Sequence, residues 1–287
     1  MRSNAFLNLW PSKTQHFKGS FIDHDFVDLN NLSSVETFIK PNTKLIYLET
    51  PSNPLLELVD IKALTDFAKA HNILTIIDNT FATPINQRPL EFGIDIVLHS
   101  ATKYLGGHSD ITAGAIATTE ALMLPILMKA RSFGGSLADQ TTWLLERSMK
   151  TLNLRVHQQT KNAQLLAEYL SHQNWVEQVN YPGLPTHPQH ELAKCQMLGF
   201  GAMLSFRLSK KINPLDFLNG LELIKDVLSL GGVETTILSP AVTSHSLLTE
   251  DERKLQGIDD HLLRLSCGIE EVEDLICDFE NCIKNVS

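Results

Sequence analysis

Three short stretches place reactive side chains where an α/β protein would use them. Asp78 ends the apolar run Ile73-Leu74-Thr75-Ile76-Ile77. Ser100, Thr102 and Lys103 follow Ile94-Asp95-Ile96-Val97-Leu98-His99. Asn53 stands in Pro51-Ser52-Asn53-Pro54, just past the run Lys44 to Glu49. Ligands of open α/β sheets bind at the carboxyl ends of the strands, which makes these residues the first candidates. A carboxylate at the end of a buried strand is desolvated unless it meets a cation or a donor. On position alone Asp78 also reads as a helix N-cap or a turn residue. Two hydroxyls two residues apart in extended chain point to the same side. With Lys103 beside them and Gly106-Gly107 after them, they could hold a phosphate. Lys103 by itself also reads as an ordinary surface lysine, and the G-x-x-x-x-G-K-[ST] pattern of a P-loop is absent.

The combination says more than its parts. A lysine amine condenses with an aldehyde. A carboxylate keeps a pyridine nitrogen protonated and turns the ring into an electron sink. Hydroxyls and backbone N–H groups hold a phosphate. Together these are the requirements of pyridoxal 5'-phosphate.

The elements that must position these groups follow from periodicity. Lys44 to Glu49, Ile73 to Asp78, Ile94 to His99 and Ala113 to Ala117 read as strands, the second apolar on both faces as in a covered parallel sheet. Asp60 starts a helix over Ile61 to Ala70, with apolar residues at Ile61, Leu64, Phe67 and Ala68. Strand, helix, strand at this spacing means βαβ units. A helical region from about Glu120 to His172 breaks near Phe133-Gly134-Gly135, and Asn153 to His172 reads as a connecting helix. Beyond the loop Tyr181 to Pro188, strands are expected at Ala202 to Leu208 and Leu262 to Ser266, and a final amphipathic helix at Glu270 to Lys284. This predicts an α/β protein: an atypical stretch over 1–16, a mostly parallel large domain over 17–150, and a smaller α+β domain with its connecting helix over 151–287.

The 287 residues are enough for a core without staples. A net charge of −9 argues against a general nucleic-acid surface, and no run of 18 apolar residues suggests a membrane span. Cys195, Cys267, Cys277 and Cys282 form no C-x-x-C pair and no metal-ligand spacing, so no metal is expected and reduced thiols in the cytoplasm are. Met1 to Lys13 lacks the pattern of a secretory or mitochondrial signal.

Three blocks in order, Glu49-Thr50-Pro51-Ser52-Asn53-Pro54, Asp78-Asn79-Thr80-Phe81-Ala82-Thr83-Pro84 and His99-Ser100-Ala101-Thr102-Lys103-Tyr104-Leu105-Gly106-Gly107-His108-Ser109-Asp110, resemble the signature of the Cys/Met-metabolism pyridoxal-phosphate family. That family includes cystathionine lyases, cystathionine γ-synthase and homoserine sulfhydrylases. Leu152-Asn153-Leu154-Arg155, Tyr181-Pro182-Gly183-Leu184, Ser229-Leu230-Gly231-Gly232-Val233-Glu234 and Arg264-Leu265-Ser266-Cys267-Gly268-Ile269-Glu270 extend the match to the C-terminus. The resemblance implies the fold-type I transferase-like architecture, in a homo-oligomer that is a homotetramer when intact. It implies a trans-sulfuration enzyme, a carbon–sulfur lyase or a γ-replacement transferase, acting on cystathionine or an activated homoserine. Carried residue by residue, it makes Lys103 the Schiff-base lysine and proton shuttle, Asp78 the partner of the pyridinium, and Ser100 and Thr102 phosphate contacts. Asn53 would lie beside the cofactor and the substrate carboxylate. Arg264 would hold that carboxylate in a bidentate pair, with Ser229 beside it, and His245 would stand behind the substrate. A cis peptide is expected at Asn53-Pro54, where the chain must turn to aim Asn53.

Two departures stand out. Leu228 occupies a position where some γ-acting members carry glutamate. The 287 residues also show no counterpart of the family's N-terminal arm, of its Ser-Gly-Met turn under the phosphate, or of its ring-stacking tyrosine. The expectation is weak cofactor retention and little lyase activity without a partner supplying that portion. The alternative is a non-catalytic fragment, or half of a split gene that associates with a relative.

Overall fold

The computed structural model describes residues 3–8 and 22–286. Six strands form one sheet: β1 (Ser3–Asn8), β2 (Ile22–Phe26), β3 (Thr43–Glu49), β4 (Leu74–Asp78), β5 (Ile96–Ser100) and β6 (Gly114–Thr118), in the order β2-β1-β3-β4-β5-β6. All neighbours are parallel except β5 and β6. Of the stretch expected to be atypical, Ser3–Asn8 pairs on both sides as β1, and residues 1, 2 and 9–16 lie outside the described residues.

The parallel pairing is dictated by the crossovers. Asp60 caps the helix Ile61–Ala70 by accepting from the Ala63 N–H at 2.9 Å. That helix buries Ile61, Leu64 and Ala68 against Ile46, Leu48 and Ile77 of the sheet. With helix above and core below, β3 and β4 are apolar on both faces. The register then sets Glu49 opposite Asp78, and Asp78 opposite Leu98. Three strands thus end side by side, and their carboxyl ends carry the candidate residues.

The helix Glu120–Phe133 stops at Gly134, which caps it in the left-handed conformation at φ 75°. The helices Asp139–Met149 and Leu152–Ser171 follow. A second sheet orders its strands β7 (Val176–Asn180), β8 (Met203–Leu208), β11 (Leu262–Ser266), β10 (Thr236–Leu238) and β9 (Lys225–Asp226). Behind it the final helix Val272–Val286 packs Phe279 against Trp175, Phe206 and Phe217, with ring centroids 6.1–6.2 Å apart. The same core runs on through Val156 to Ala101, Tyr104 and Leu105. The turn after β5 is therefore anchored in the hydrophobic mass that supports the second sheet.

Candidate active site

The chain leaves β5 at Ser100 and folds into a run of tight turns. Lys103 N–H donates to the Ser100 carbonyl at 3.0 Å, Gly106 N–H to Ala101 at 2.8 Å, and Gly107 N–H to Lys103 at 2.7 Å. Gly107 has φ 70°, a conformation that a side chain would strain. Tyr104 points inward and is 2% exposed, which leaves Lys103 half-buried on the opposite side.

The Lys103 Nζ donates to the Ser229 hydroxyl at 3.4 Å. From there the contacts lead to Arg264 in β11, which is 4% exposed. Its Nη2 donates to the Leu228 carbonyl at 3.3 Å and its Nη1 to the Asn53 Oδ1 at 3.1 Å. Four candidates from distant parts of the chain, Asn53, Lys103, Ser229 and Arg264, thus meet in one cluster. Asn53 reaches it from a loop with cis peptides at both Thr50-Pro51 and Asn53-Pro54, the first of which the sequence reading did not anticipate.

Burial disfavours the Lys103 ammonium, and the Arg264 cation adds to this, so its pKa is lowered from 10.5. Burial also lowers Arg264, to about 10, which leaves it cationic at neutral pH. The Arg264 Nε is buried and has no hydrogen-bond partner among the described residues. A buried N–H donor on a cation calls for an acceptor, and a carboxylate supplies one.

Asp78 sits one strand away. One of its oxygens accepts from the Thr80 N–H at 3.0 Å, and the Thr80 hydroxyl accepts from the Ser100 N–H at 2.8 Å. Thr80 therefore ties the end of β4 to the end of β5. His99 lies close enough for the Asp78 charge to act on it, yet burial dominates and lowers the His99 pKa. The Thr102 hydroxyl is engaged at Ala113, donating to its carbonyl at 3.3 Å and accepting from its N–H at 3.0 Å. His245 is 1% exposed, with its Nδ1 2.7 Å from the Ser244 hydroxyl. Sequence reasoning missed Thr80 and His99, both visible inside quoted motifs, and it could not see that the Leu228 carbonyl would serve Arg264.

The donor set fits pyridoxal phosphate. Lys103 offers a half-buried amine held, among the described residues, by one long contact, and Asp78 offers a carboxylate at the end of the adjacent strand. Ser100, half-buried, ends β5 three residues before Lys103 and brings a hydroxyl to the same strand end. Thr102 could join only by exchanging its bonds to Ala113.

Residues 12–284 match the model of the Cys/Met metabolism PLP-dependent enzyme family. The chain belongs to that family. A cystathionine beta-lyase of Lactococcus lactis subsp. cremoris is 48% identical over 264 residues, which span 92% of this chain and 70% of that protein. A cystathionine gamma-lyase of Bacillus subtilis is 45% identical over 266 residues, again 92% and 70%. Among solved structures, cystathionine gamma-lyase from Lactobacillus plantarum complexed with L-serine superposes with a TM-score of 0.95 at 42% identity, covering 99% of this chain and 76% of that one. Cystathionine gamma synthase from Xanthomonas oryzae pv. oryzae, in complex with cystathionine, gives 0.94 at 37% identity, covering 99% and 75%. The architecture is accordingly that of the fold-type I PLP-dependent enzymes, and the family's cofactor is pyridoxal phosphate.

Proposed function

We propose that this chain is a carbon–sulfur lyase that cleaves cystathionine, with Lys103 as its base and covalent anchor. The observation that carries the reading is the Asn53–Arg264–Leu228–Ser229–Lys103 cluster, which sets a carboxylate clamp beside an amine whose pKa burial and Arg264 lower. Arg264 and Asn53 bind the substrate α-carboxylate, and the unpartnered Nε points to the second arm of a bidentate contact. With the carboxylate fixed, the substrate Cα lies toward Lys103. Burial and Arg264 keep a larger share of that amine neutral, which suits it to accept the Cα proton. Bound pyridoxal phosphate supplies the sink for the electron pair left at Cα. Asp78 would hold the ring nitrogen protonated, and Ser100, with Thr102, would contact the phosphate.

Cleavage at Cβ is favoured over cleavage at Cγ. Breaking the Cβ–S bond needs one proton taken from Cα and one delivered to the departing thiolate, a task for a single amine. Chemistry at Cγ must also move a proton at Cβ, and Leu228 brings no carboxylate to share that work. The freed unsaturated amino acid then reacts with water to a keto acid and ammonia. Two of the relatives carry the names cystathionine beta-lyase and cystathionine gamma-lyase, which supports a cystathionine substrate. We further place the enzyme in the cytoplasm as a homo-oligomer, with a domain division near residue 150. In support of the division, the strands of the two sheets lie on either side of residue 150; no helix among the described residues is long and apolar enough to cross a membrane. The test is thiol release from cystathionine after loading with pyridoxal phosphate. Turnover by the chain alone is expected to be slow, so the reading requires release, however slow, that disappears in Lys103→Ala and is overturned by release that survives it.

A further inference from the structure

Arg155 is 5% exposed, and its hydrogen bonds all go to neutral acceptors. Its Nη1 donates to the Tyr104 carbonyl at 2.9 Å, its Nη2 to the Ser148 carbonyl at 2.9 Å, and its Nε to the Thr151 hydroxyl at 3.1 Å. The cation stands in the first turn of the helix Leu152–Ser171, where the helix dipole opposes positive charge. Burial and dipole both work against it, so its presence needs a geometric reason. The planar fork supplies one, since a single rigid group reaches two acceptors at the junction before its own helix and a third in the lysine turn. One of them is the carbonyl next after Lys103. The lysine turn also closes over the guanidinium at Gly107, where a Cβ would overlap it and where φ is 70°.

We propose that Arg155 is a positioning residue for Lys103. By holding the Tyr104 carbonyl it fixes the turn from which the amine reaches the Ser229 hydroxyl and the reacting carbon. The inference rests on the reading of Lys103 given above. It concerns no contact between Arg155 and substrate, so it separates the chemical step from binding.

The experiment uses the cofactor-loaded chain and four variants. Arg155→Lys keeps the charge and loses the fork. Gly107→Ala crowds the guanidinium and also strains the lysine turn at φ 70°, so it reads the turn as a whole, and Thr151→Val removes one acceptor. Leu166→Ala, fully buried in the same helix and remote from the turn, supplies a matched loss of thermal stability. Each is measured for kcat, KM and the visible circular dichroism per bound cofactor, which reports how the lysine-bound ring is held. Arg155→Lys and Gly107→Ala should lower kcat about ten-fold with KM within about two-fold, as a sub-ångström displacement of a reacting group does, and should weaken the dichroism. Thr151→Val should show the same pattern more weakly, and it carries the test if the other two fail to fold. Leu166→Ala should leave kcat and the dichroism unchanged at equal melting temperature. Normal kcat and dichroism in the Arg155 and Gly107 variants overturn the proposal, as does an equal loss in Leu166→Ala. A failure of the underlying reading looks different: borohydride would still fix the cofactor to the Lys103→Ala chain.

Discussion

Arg264 and Lys103 constrain each other through charge, and both can be tested one residue at a time. Arg264→Lys keeps a cation but cannot serve Asn53, Leu228 and a substrate carboxylate together. Losing one charged hydrogen bond removes about 1.5–3 kcal/mol. At about 1.4 kcal/mol per decade, KM for cystathionine should rise about 10- to 100-fold. Cofactor affinity should change little, and fluorescence titration with pyridoxal phosphate reads that separately. Arg264→Met tests the electrostatics. The Arg264 cation lowers the Lys103 pKa, so its removal should raise that pKa and leave less free amine at a given pH. In the cofactor-free protein, acetylation of Lys103 followed by mass spectrometry should then reach its half-maximal rate at a higher pH than in the unaltered chain. An unchanged profile would remove Arg264 from the neighbourhood of the amine. Asp78 stands out in the sequence because it closes an apolar run, and Lys103 because hydroxyls and glycines flank it in a block that resembles the family signature. Thr80 and His99 do not, because their roles arise from hydrogen bonds and charge across neighbouring strands.

The loop that carries Asn53 is held by buried amides. Gln87 is fully buried and donates from Nε2 to the Thr50 carbonyl and to the Asn79 Oδ1, both at 2.9 Å. Gln196, in the helix His190–Gln196, accepts from the Ile61 N–H at 3.3 Å and donates to the Val59 carbonyl at 3.1 Å. A helix that follows β7 in the chain therefore grips the segment between β3 and β4. Gln87→Met conserves volume but strands the Thr50 carbonyl and the Asn79 oxygen. Each unsatisfied buried acceptor costs about 1–3 kcal/mol, so with two of them urea unfolding should lose about 2–6 kcal/mol. KM should rise as well, since Asn53 loses its support. A stability change below about 0.5 kcal/mol, typical of a surface substitution, would show that the network is dispensable. The elements themselves were legible where periodicity is strong. The helix Ile61–Ala70 and the strand Leu262–Ser266 fall where apolar spacing places them. The strands Lys225–Asp226 and Thr236–Leu238 were not read, because two or three residues carry no period and pairing alone makes them strands.

Across the whole molecule, burial shapes the response to acid. His99 and His187 both lie below their ordinary pKa of 6.5, chiefly through desolvation. The unfolded chain therefore binds protons that the folded chain does not, and stability falls as pH drops below about 6.5 toward the lowered values. Urea midpoints should decrease between pH 7.5 and pH 5.5, and His187→Asn should flatten that decrease. An equally steep decrease in the variant would assign the effect elsewhere. The family was legible in the order of its motifs. The way one core joins both sheets was not, because Tyr104, Val156 and Phe206 come together only in three dimensions. The most direct test of the account is where the cofactor attaches. After incubation with pyridoxal phosphate, borohydride reduction and digestion, mass spectrometry should find the added cofactor mass on the peptide containing Lys103. Attachment at another lysine, or at none, would contradict the site described here.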